Sequence, residues 1–131
     1  MKGAIVFLAL IFVGVPVMMT AYVWHGLVPP AREAIKGMVY ISDGVDYWQS
    51  PAESRMRMAG DCEDHAALIA EKYHEIGIPF SVVIIDGVHA QHMVIQVGGV
   101  YVDSVRPRLI RITKRNQPLV SYTYKEFKRH L

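Results

Sequence analysis

The sequence contains one cysteine, Cys62, and its position at the start of a predicted helix suits nucleophilic chemistry. Asp61 is a good helix N-cap, and the apolar residues that follow recur with helical spacing, so residues 61–76 are predicted to form an amphipathic helix. A thiol in the first helical turn lies near free N–H groups and the positive end of the helix dipole, which favour its thiolate form. Cys62 is therefore a candidate nucleophile.

A histidine and an aspartate are predicted to meet on neighbouring strands. Gly98 and Gly99 separate two runs of alternating apolar residues, which is typical of a hairpin with a two-residue turn. That turn places His92 and Asp103 on one face of the sheet as diagonal neighbours, within reach of an imidazole–carboxylate hydrogen bond. Because a cysteine nucleophile needs a base and a group that orients it, Cys62, His92 and Asp103 form a candidate triad.

Two other interpretations of these residues remain open. In the first, Cys62, His65, His89 and His92 bind a metal, since both pairs have zinc-ligand spacing. That requires residues 89–92 to form a loop, because positions 89 and 92 of a strand face opposite sides. In the second, Cys62 is a small buried residue, His92 a hydrogen-bonded strand residue and Asp103 a turn residue.

Several stretches of the sequence carry a resemblance to a known family. They are Asp46-Tyr47-Trp48-Gln49-Ser50-Pro51-Ala52-Glu53, Gly60-Asp61-Cys62-Glu63-Asp64-His65-Ala66, Gly77-Ile78-Pro79, His92-Met93-Val94-Ile95 and Tyr101-Val102-Asp103. In this order, over about residues 43–105, the sequence resembles the bacterial transglutaminase-like cysteine proteinases. The resemblance implies an α+β fold with a papain-like or transglutaminase-like core, in which the helix that bears the cysteine packs on a small antiparallel sheet.

The resemblance also implies an activity and site roles. Cys62 is then the nucleophile, His92 the base and Asp103 the group that orients the imidazole, in a peptidase that cleaves amide bonds of a protein or peptide substrate through an acyl-enzyme. The alternatives are a transamidase with an amine acceptor and a non-catalytic binding module. No cofactor is expected to be required. Calcium-dependent members bind Ca²⁺ with the carboxylates beside the cysteine, here Asp61 and Glu63, and helix capping is the alternative role of these two acids.

The N-terminal part of the chain has the pattern of a membrane anchor. The 131-residue chain is 52% hydrophobic, and residues 3–24 contain no charged side chain. As a helix this run would extend roughly 33 Å, which spans a bilayer core. We expect an uncleaved transmembrane anchor over residues 1–28 and a transglutaminase-like cysteine peptidase domain over residues 29–131, with a cleaved signal peptide as the alternative.

Charge patterning bears on orientation and partners. Lys2 before the apolar run favours a single-pass protein whose C-terminal domain is periplasmic or otherwise extracytoplasmic. Residues 106–131 contain eight Lys or Arg and one acid, Glu126, which is typical of a solvated edge or of a surface that binds anions. No nucleic-acid-binding motif accompanies this charge, so no nucleic-acid partner is expected. A single cysteine excludes an intramolecular disulfide framework.

Overall fold

The computed structural model describes residues 22–42, 47–87 and 90–131. These residues form helices and strands in mixed order. In chain order the elements are α1 (described over residues 22–34), β1 (Val39–Tyr40), α2 (Pro51–Arg57), β2 (Ala59–Gly60), α3 (Cys62–Glu75), β3 (Ser81–Asp86), β4 (Gln91–Val97), β5 (Val100–Asp103), β6 (Leu109–Ile110), β7 (Pro118–Tyr122) and α4 (Tyr124–Lys128).

The centre of the fold is a five-stranded antiparallel sheet in the order β6-β5-β4-β3-β7. Helix α3 packs on β4, and its apolar side chains meet those of the sheet in one buried cluster. Helix α1 joins the same cluster through Leu27, whose carbonyl accepts a hydrogen bond from the Tyr73 hydroxyl on α3. The α+β prediction, with a cysteine-bearing helix on an antiparallel sheet, is confirmed.

Helix α3 follows the local rules that predicted it. Asp61 is its N-cap and Ile76 its C-cap, which matches the predicted range 61–76. Gly77 adopts a φ of 78°, a left-handed conformation that favours glycine and ends the helix. Pro79 follows and prevents the helix from continuing. Cys62 therefore lies in the first turn, as expected.

The predicted hairpin of β4 and β5 is also confirmed. Val97 pairs with Val100 across the two-residue turn, and Val94 pairs with Asp103. This even register keeps alternate residues of both strands on a common face. As a result, His92 and Asp103 lie on the same side of the sheet as diagonal neighbours.

One predicted element is wrong and others were missed. The apolar residues at positions 31, 35, 38 and 39 predict a helix over residues 31–39, but α1 ends at residue 34, and the chain turns at Gly37 with a φ of 82° before β1. The sequence analysis did not predict α2, α4 or the parallel pair of β1 and β2. Helix α2 begins by local rules, because the Ser50 hydroxyl accepts a hydrogen bond from the Glu53 N–H and Pro51 occupies the first turn.

The predicted anchor falls largely outside the described residues. Residues 1–21 of it are not described, and residues 22–28 belong to α1. Within residues 22–42, 47–87 and 90–131, no helix has the length and apolar character needed to cross a bilayer. Leu27 and Val28 are buried on the core side of α1. The division into residues 1–28 and 29–131 stays a prediction.

Candidate active site

The Cys62 side chain opens onto a small cavity between α3 and the sheet. It is the first residue of α3 and is 9% exposed. Its thiol donates a hydrogen bond to Glu63 Oε2, with 3.5 Å between sulfur and oxygen. The cavity has a volume of about 200 Å³ and is lined by Trp48, Cys62, Glu63, Ile84, Gln91, His92, Met93 and Tyr122. We call it the thiol cavity.

The resting thiol is protonated rather than ionised. Burial raises the pKa of Cys62 to about 12, a backbone hydrogen bond at Met93 opposes the rise, and the Glu63 carboxylate adds to it. The expectation of a lowered thiol pKa is therefore wrong, because burial disfavours the charged thiolate. A neighbouring base must remove the proton as the sulfur attacks.

His92 and Asp103 form the hydrogen bond that the hairpin register predicted. The imidazole Nε2 lies 3.1 Å from Asp103 Oδ2. The other carboxylate oxygen, Oδ1, accepts hydrogen bonds from the backbone N–H groups of Val105 and Arg106 at 2.9 and 3.0 Å. With the hydrogen on Nε2, Nδ1 is the imidazole nitrogen that can accept a proton. His92 and Cys62 line the same cavity.

Asp103 is held in its charged form. Burial alone would raise its pKa, but the hydrogen bond from His92 and those from the backbone of Arg106 and Val105 outweigh burial and hold the pKa below its ordinary value. An ionised carboxylate at this position fixes the imidazole tautomer and stabilises an imidazolium when one forms. The pair is therefore arranged as a base and its orienting group.

Asp64 connects the first turn of α3 to the loop before α2. This side chain is fully buried. Its Oδ1 accepts a hydrogen bond from the Gln49 N–H at 2.8 Å, and its Oδ2 accepts one from the Asp61 N–H at 3.1 Å. The loop is thereby held against α3, and Trp48 reaches the thiol cavity beside Cys62. From the sequence, the only role indicated for Asp64 is that an acid in the first helical turn suits the positive end of the helix dipole. Its place three residues after the N-cap is the capping-box signal that marks the bond to Asp61.

Gly60 allows this arrangement because no side chain fits there. A Cβ at position 60 would lie 2.5 Å from both Cβ and Oδ2 of Asp64. The Gln49 side chain also forms a hydrogen bond: its Oε1 accepts from the Ser54 hydroxyl at 3.3 Å. The Gly-Asp-Cys-Glu-Asp segment is therefore a packing unit as well as the carrier of the thiol.

We expect Asp64 to give the protein a pH-dependent stability between about pH 4 and 6. Burial is the main reason that the pKa of Asp64 rises from 3.8 to about 6. In this range the folded protein holds a proton that the unfolded chain has lost. The stabilisation is therefore complete below about pH 4 and is lost as the pH rises through about 6. Two pKa units correspond to about 3 kcal/mol.

Melting temperatures at pH 7 and pH 5 test this expectation with Asp64→Asn, which cannot titrate, as the reference. The difference in melting temperature, wild type minus variant, should increase on going from pH 7 to pH 5. Asp103 does not interfere, because its lowered pKa makes its stabilisation disappear only at lower pH. Parallel changes in the two proteins would contradict the assignment.

The predicted metal ligands are only partly brought together. His65 is buried, and its Nδ1 lies 2.7 Å from the Asp61 carbonyl oxygen, while His89 lies outside the described residues. In the part of the chain that the structure describes, no three His, Cys, Asp or Glu side chains form a metal-binding group. Asp61 and Glu63 flank the thiol, but two acids fall short of the six to eight oxygens that Ca²⁺ takes. These described side chains do not by themselves make a calcium site.

The fold is shared with a protein of known structure. No family model and no curated protein sequence matches the chain. Legionella pneumophila LapG in its calcium-bound form matches at 21% identity with a TM-score of 0.65, covering 78% of this chain and 66% of that one. EGTA-treated LapG matches at 22% identity with a TM-score of 0.64, covering 78% and 64%. A further LapG structure matches at 19% identity with a TM-score of 0.61, covering 82% and 79%.

These matches define the class of fold. LapG is a transglutaminase-like cysteine protease, and the present chain has a core of the same architecture. The chain spans about two thirds of the length of calcium-bound LapG. At identities near one in five, the likeness establishes the fold. The activity must be argued from the chain's own side chains.

Proposed function

We propose that this protein is a cysteine peptidase with Cys62 as nucleophile, His92 as general base and acid, and Asp103 as the orienting carboxylate. One observation carries the proposal: His92 shares the thiol cavity with Cys62, while its Nε2 lies 3.1 Å from Asp103 Oδ2. The transglutaminase-like fold and the protease LapG add support. General base catalysis suits a thiol that is neutral at rest.

The proposed reaction conserves atoms and protons at each step. His92 Nδ1 takes the thiol proton while Sγ bonds to the carbonyl carbon of an amide. The C–N bond then breaks, and the same nitrogen gives its proton to the departing amine, leaving an acyl group on sulfur. Water, deprotonated by His92, attacks this thioester and releases the acid and the free thiol. Asp103 stays ionised throughout and stabilises the imidazolium.

A backbone donor is available for the oxyanion. The N–H groups in the first turn of a helix have no partner within the helix, and we assign the Cys62 N–H to the carbonyl oxygen that becomes negative. Trp48 lines the same cavity, which makes the Trp48–Gln49 segment a second candidate for this role. The Gln49 N–H donates to Asp64 instead, so it is not the second donor.

Incubation of the protein with a peptide mixture and a labelled primary amine tests the proposal. Mass spectrometry should find new peptide termini and no incorporated amine. Cys62→Ala should give no new termini and no incorporated amine. Incorporated amine in place of new termini would identify a transamidase. A folded protein that neither cleaves peptides nor incorporates the amine would favour the non-catalytic binding module.

Calcium binding is a second candidate role of Glu63, because LapG is known in calcium-bound and EGTA-treated forms. The described carboxylates do not form a calcium site, so the proposed reaction does not use the ion. We expect the Glu63 charge to act on the thiol directly, by raising its pKa. Glu63→Gln should therefore speed alkylation of Cys62 by iodoacetamide at pH 7, by about threefold for a pKa decrease of half a unit.

The matched control for this prediction is Glu75→Gln, at the far end of α3, which should leave the alkylation rate unchanged. EGTA should leave the wild-type rate unchanged as well. If EGTA abolishes alkylation and Glu63→Gln does the same, Glu63 is a calcium ligand and the direct electrostatic role is wrong.

We also propose that residues 3–24 anchor the chain, with the peptidase domain on the periplasmic or extracytoplasmic side. The uncharged run supports the proposal. The full chain should stay in the membrane fraction after an alkaline carbonate wash, whereas a chain that starts at Tyr22, and so keeps the buried Leu27, should be released. A soluble protein truncated near Ala21 would establish a cleaved signal peptide instead.

A further inference from the structure

The thiol cavity shares lining residues with two neighbouring cavities. It shares His92 with a cavity of about 230 Å³ that is lined by Tyr40, His92, Asp103, Val105, Arg106 and Arg108. It shares Trp48 and Tyr122 with a larger, mainly aromatic cavity. We call the first the arginine cavity. Both border the cavity that Cys62 lines, so each is placed to receive a part of the substrate beside the reacting amide.

Arginine cations dominate the arginine cavity. Both Arg106 and Arg108 are exposed, and neither forms an ion pair with another described residue. The one acid in the lining, Asp103, is engaged by His92 and by two backbone N–H groups. A guanidinium presents a planar set of donors that matches a carboxylate. The cavity is therefore suited to an acidic side chain.

The backbone that bears these arginines is fixed to the catalytic pair. The Arg106 N–H donates to Asp103 Oδ1 at 3.0 Å, and the Arg108 carbonyl accepts a hydrogen bond from the Asp103 N–H at 3.0 Å. Arg32 Nε also donates to the Pro107 carbonyl at 3.2 Å. The two guanidinium groups thus belong to a segment whose position relative to His92 is set by hydrogen bonds.

The catalytic pair borders this cavity as well as the thiol cavity. His92 and Asp103 line the arginine cavity, and His92 also lines the cavity that holds the Cys62 thiol. A substrate whose reacting amide lies between Cys62 and His92 therefore has neighbouring side chains close to Arg106 and Arg108. Resting on the proposed peptidase function, we propose that Arg106 and Arg108 select substrates with an acidic residue within a few positions of the cleaved bond.

The charge of the surrounding chain points in the same direction. Residues 106–131 carry eight Lys or Arg against one acid. A field of one sign around a cleft attracts peptides of the opposite sign and loses strength as salt screens it. Acidic peptides should therefore be preferred most strongly at low ionic strength.

Cleavage-site profiling with a complex peptide library tests the proposal. At low salt, Asp and Glu should be enriched over Lys and Arg by about fivefold at a position within three residues of the cleaved bond, as expected for a carboxylate beside two arginines. Arg106→Glu/Arg108→Glu should reverse this preference, and Arg106→Gln/Arg108→Gln should abolish it. Lys114→Glu/Arg115→Glu, an equal charge change outside the cavity, should alter the preference far less. An unchanged preference in both double variants would overturn the proposal.

A second measurement does not depend on turnover. A glutamate-rich octapeptide should slow alkylation of Cys62 by iodoacetamide more than a lysine-rich octapeptide does, and Arg106→Gln/Arg108→Gln should remove the difference. If no library peptide is cleaved but this protection is seen, the peptidase function fails and the acidic specificity of the cavity stands. If neither octapeptide protects and nothing is cleaved, both are wrong.

Discussion

Replacement of His92 by alanine is expected to lower kcat/KM for peptide cleavage by about 10³-fold, within the range for loss of a general acid–base group. The thiol of Cys62 has a pKa of about 12, so without a base almost none of it is ionised at pH 7. The imidazole also returns the proton to the leaving amine. Both steps of acylation are therefore expected to slow, and initial rates on a cleaved library peptide measure the loss.

Two other histidines serve as controls for this variant. His74 is exposed near the end of α3, with its ring against Tyr124, and His74→Ala should keep nearly full activity. His89 lies outside the described residues, and the proposed triad does not use it. His89→Ala is therefore expected to retain most activity. Equal losses at His89 and His92, together with about one bound zinc per chain, would establish the metal site in place of the triad.

Replacement of Asp103 by asparagine should lower kcat/KM almost as far as His92→Ala does, by about 10²- to 10³-fold, because the charge is lost and the amide NH2 group, which faces Nε2, favours the tautomer with hydrogen on Nδ1. The asparagine amide oxygen can still accept from the Val105 and Arg106 N–H groups that now bond to Asp103 Oδ1. The loop to β6 should keep its position, so the loss reports on the charge and the tautomer.

The result for Asp103→Asn is checked by kcat/KM at pH 7, with the melting temperature measured on the same sample. A folded variant as active as the wild type would remove Asp103 from the mechanism. A loss that equals that of His92→Ala would mean that the wrong tautomer removes the base completely.

The parts of the site that local rules govern could be predicted from the sequence. The two glycines after Val97 set an even hairpin register, and this register brought His92 and Asp103 together as expected. Helix α3 was predicted almost to the residue, because Asp61 and Gly77 mark its ends. Both inferences needed only turn geometry and capping.

The parts that depend on distant packing could not be predicted. The thiol pKa is set by burial under the sheet and by a backbone group at Met93, neither of which the sequence around Cys62 contains. The bond between Asp64 and Gln49 joins residues 15 positions apart across a loop and a short helix. The short helices α2 and α4 were missed because each is too brief for a periodic pattern. For the thiol pKa and the bond between Asp64 and Gln49, tertiary contacts decided the outcome.

The central claim is that Cys62 forms a covalent acyl-enzyme with the help of His92. Intact-mass analysis after brief exposure to the thioester of a short acidic peptide tests this most directly, with peptide mapping to locate the adduct. The wild type should gain the mass of one acyl group on Cys62, Cys62→Ala should gain none, and His92→Ala should acylate far more slowly. A folded wild-type protein without an adduct on Cys62, or peptide cleavage by Cys62→Ala, would contradict the account.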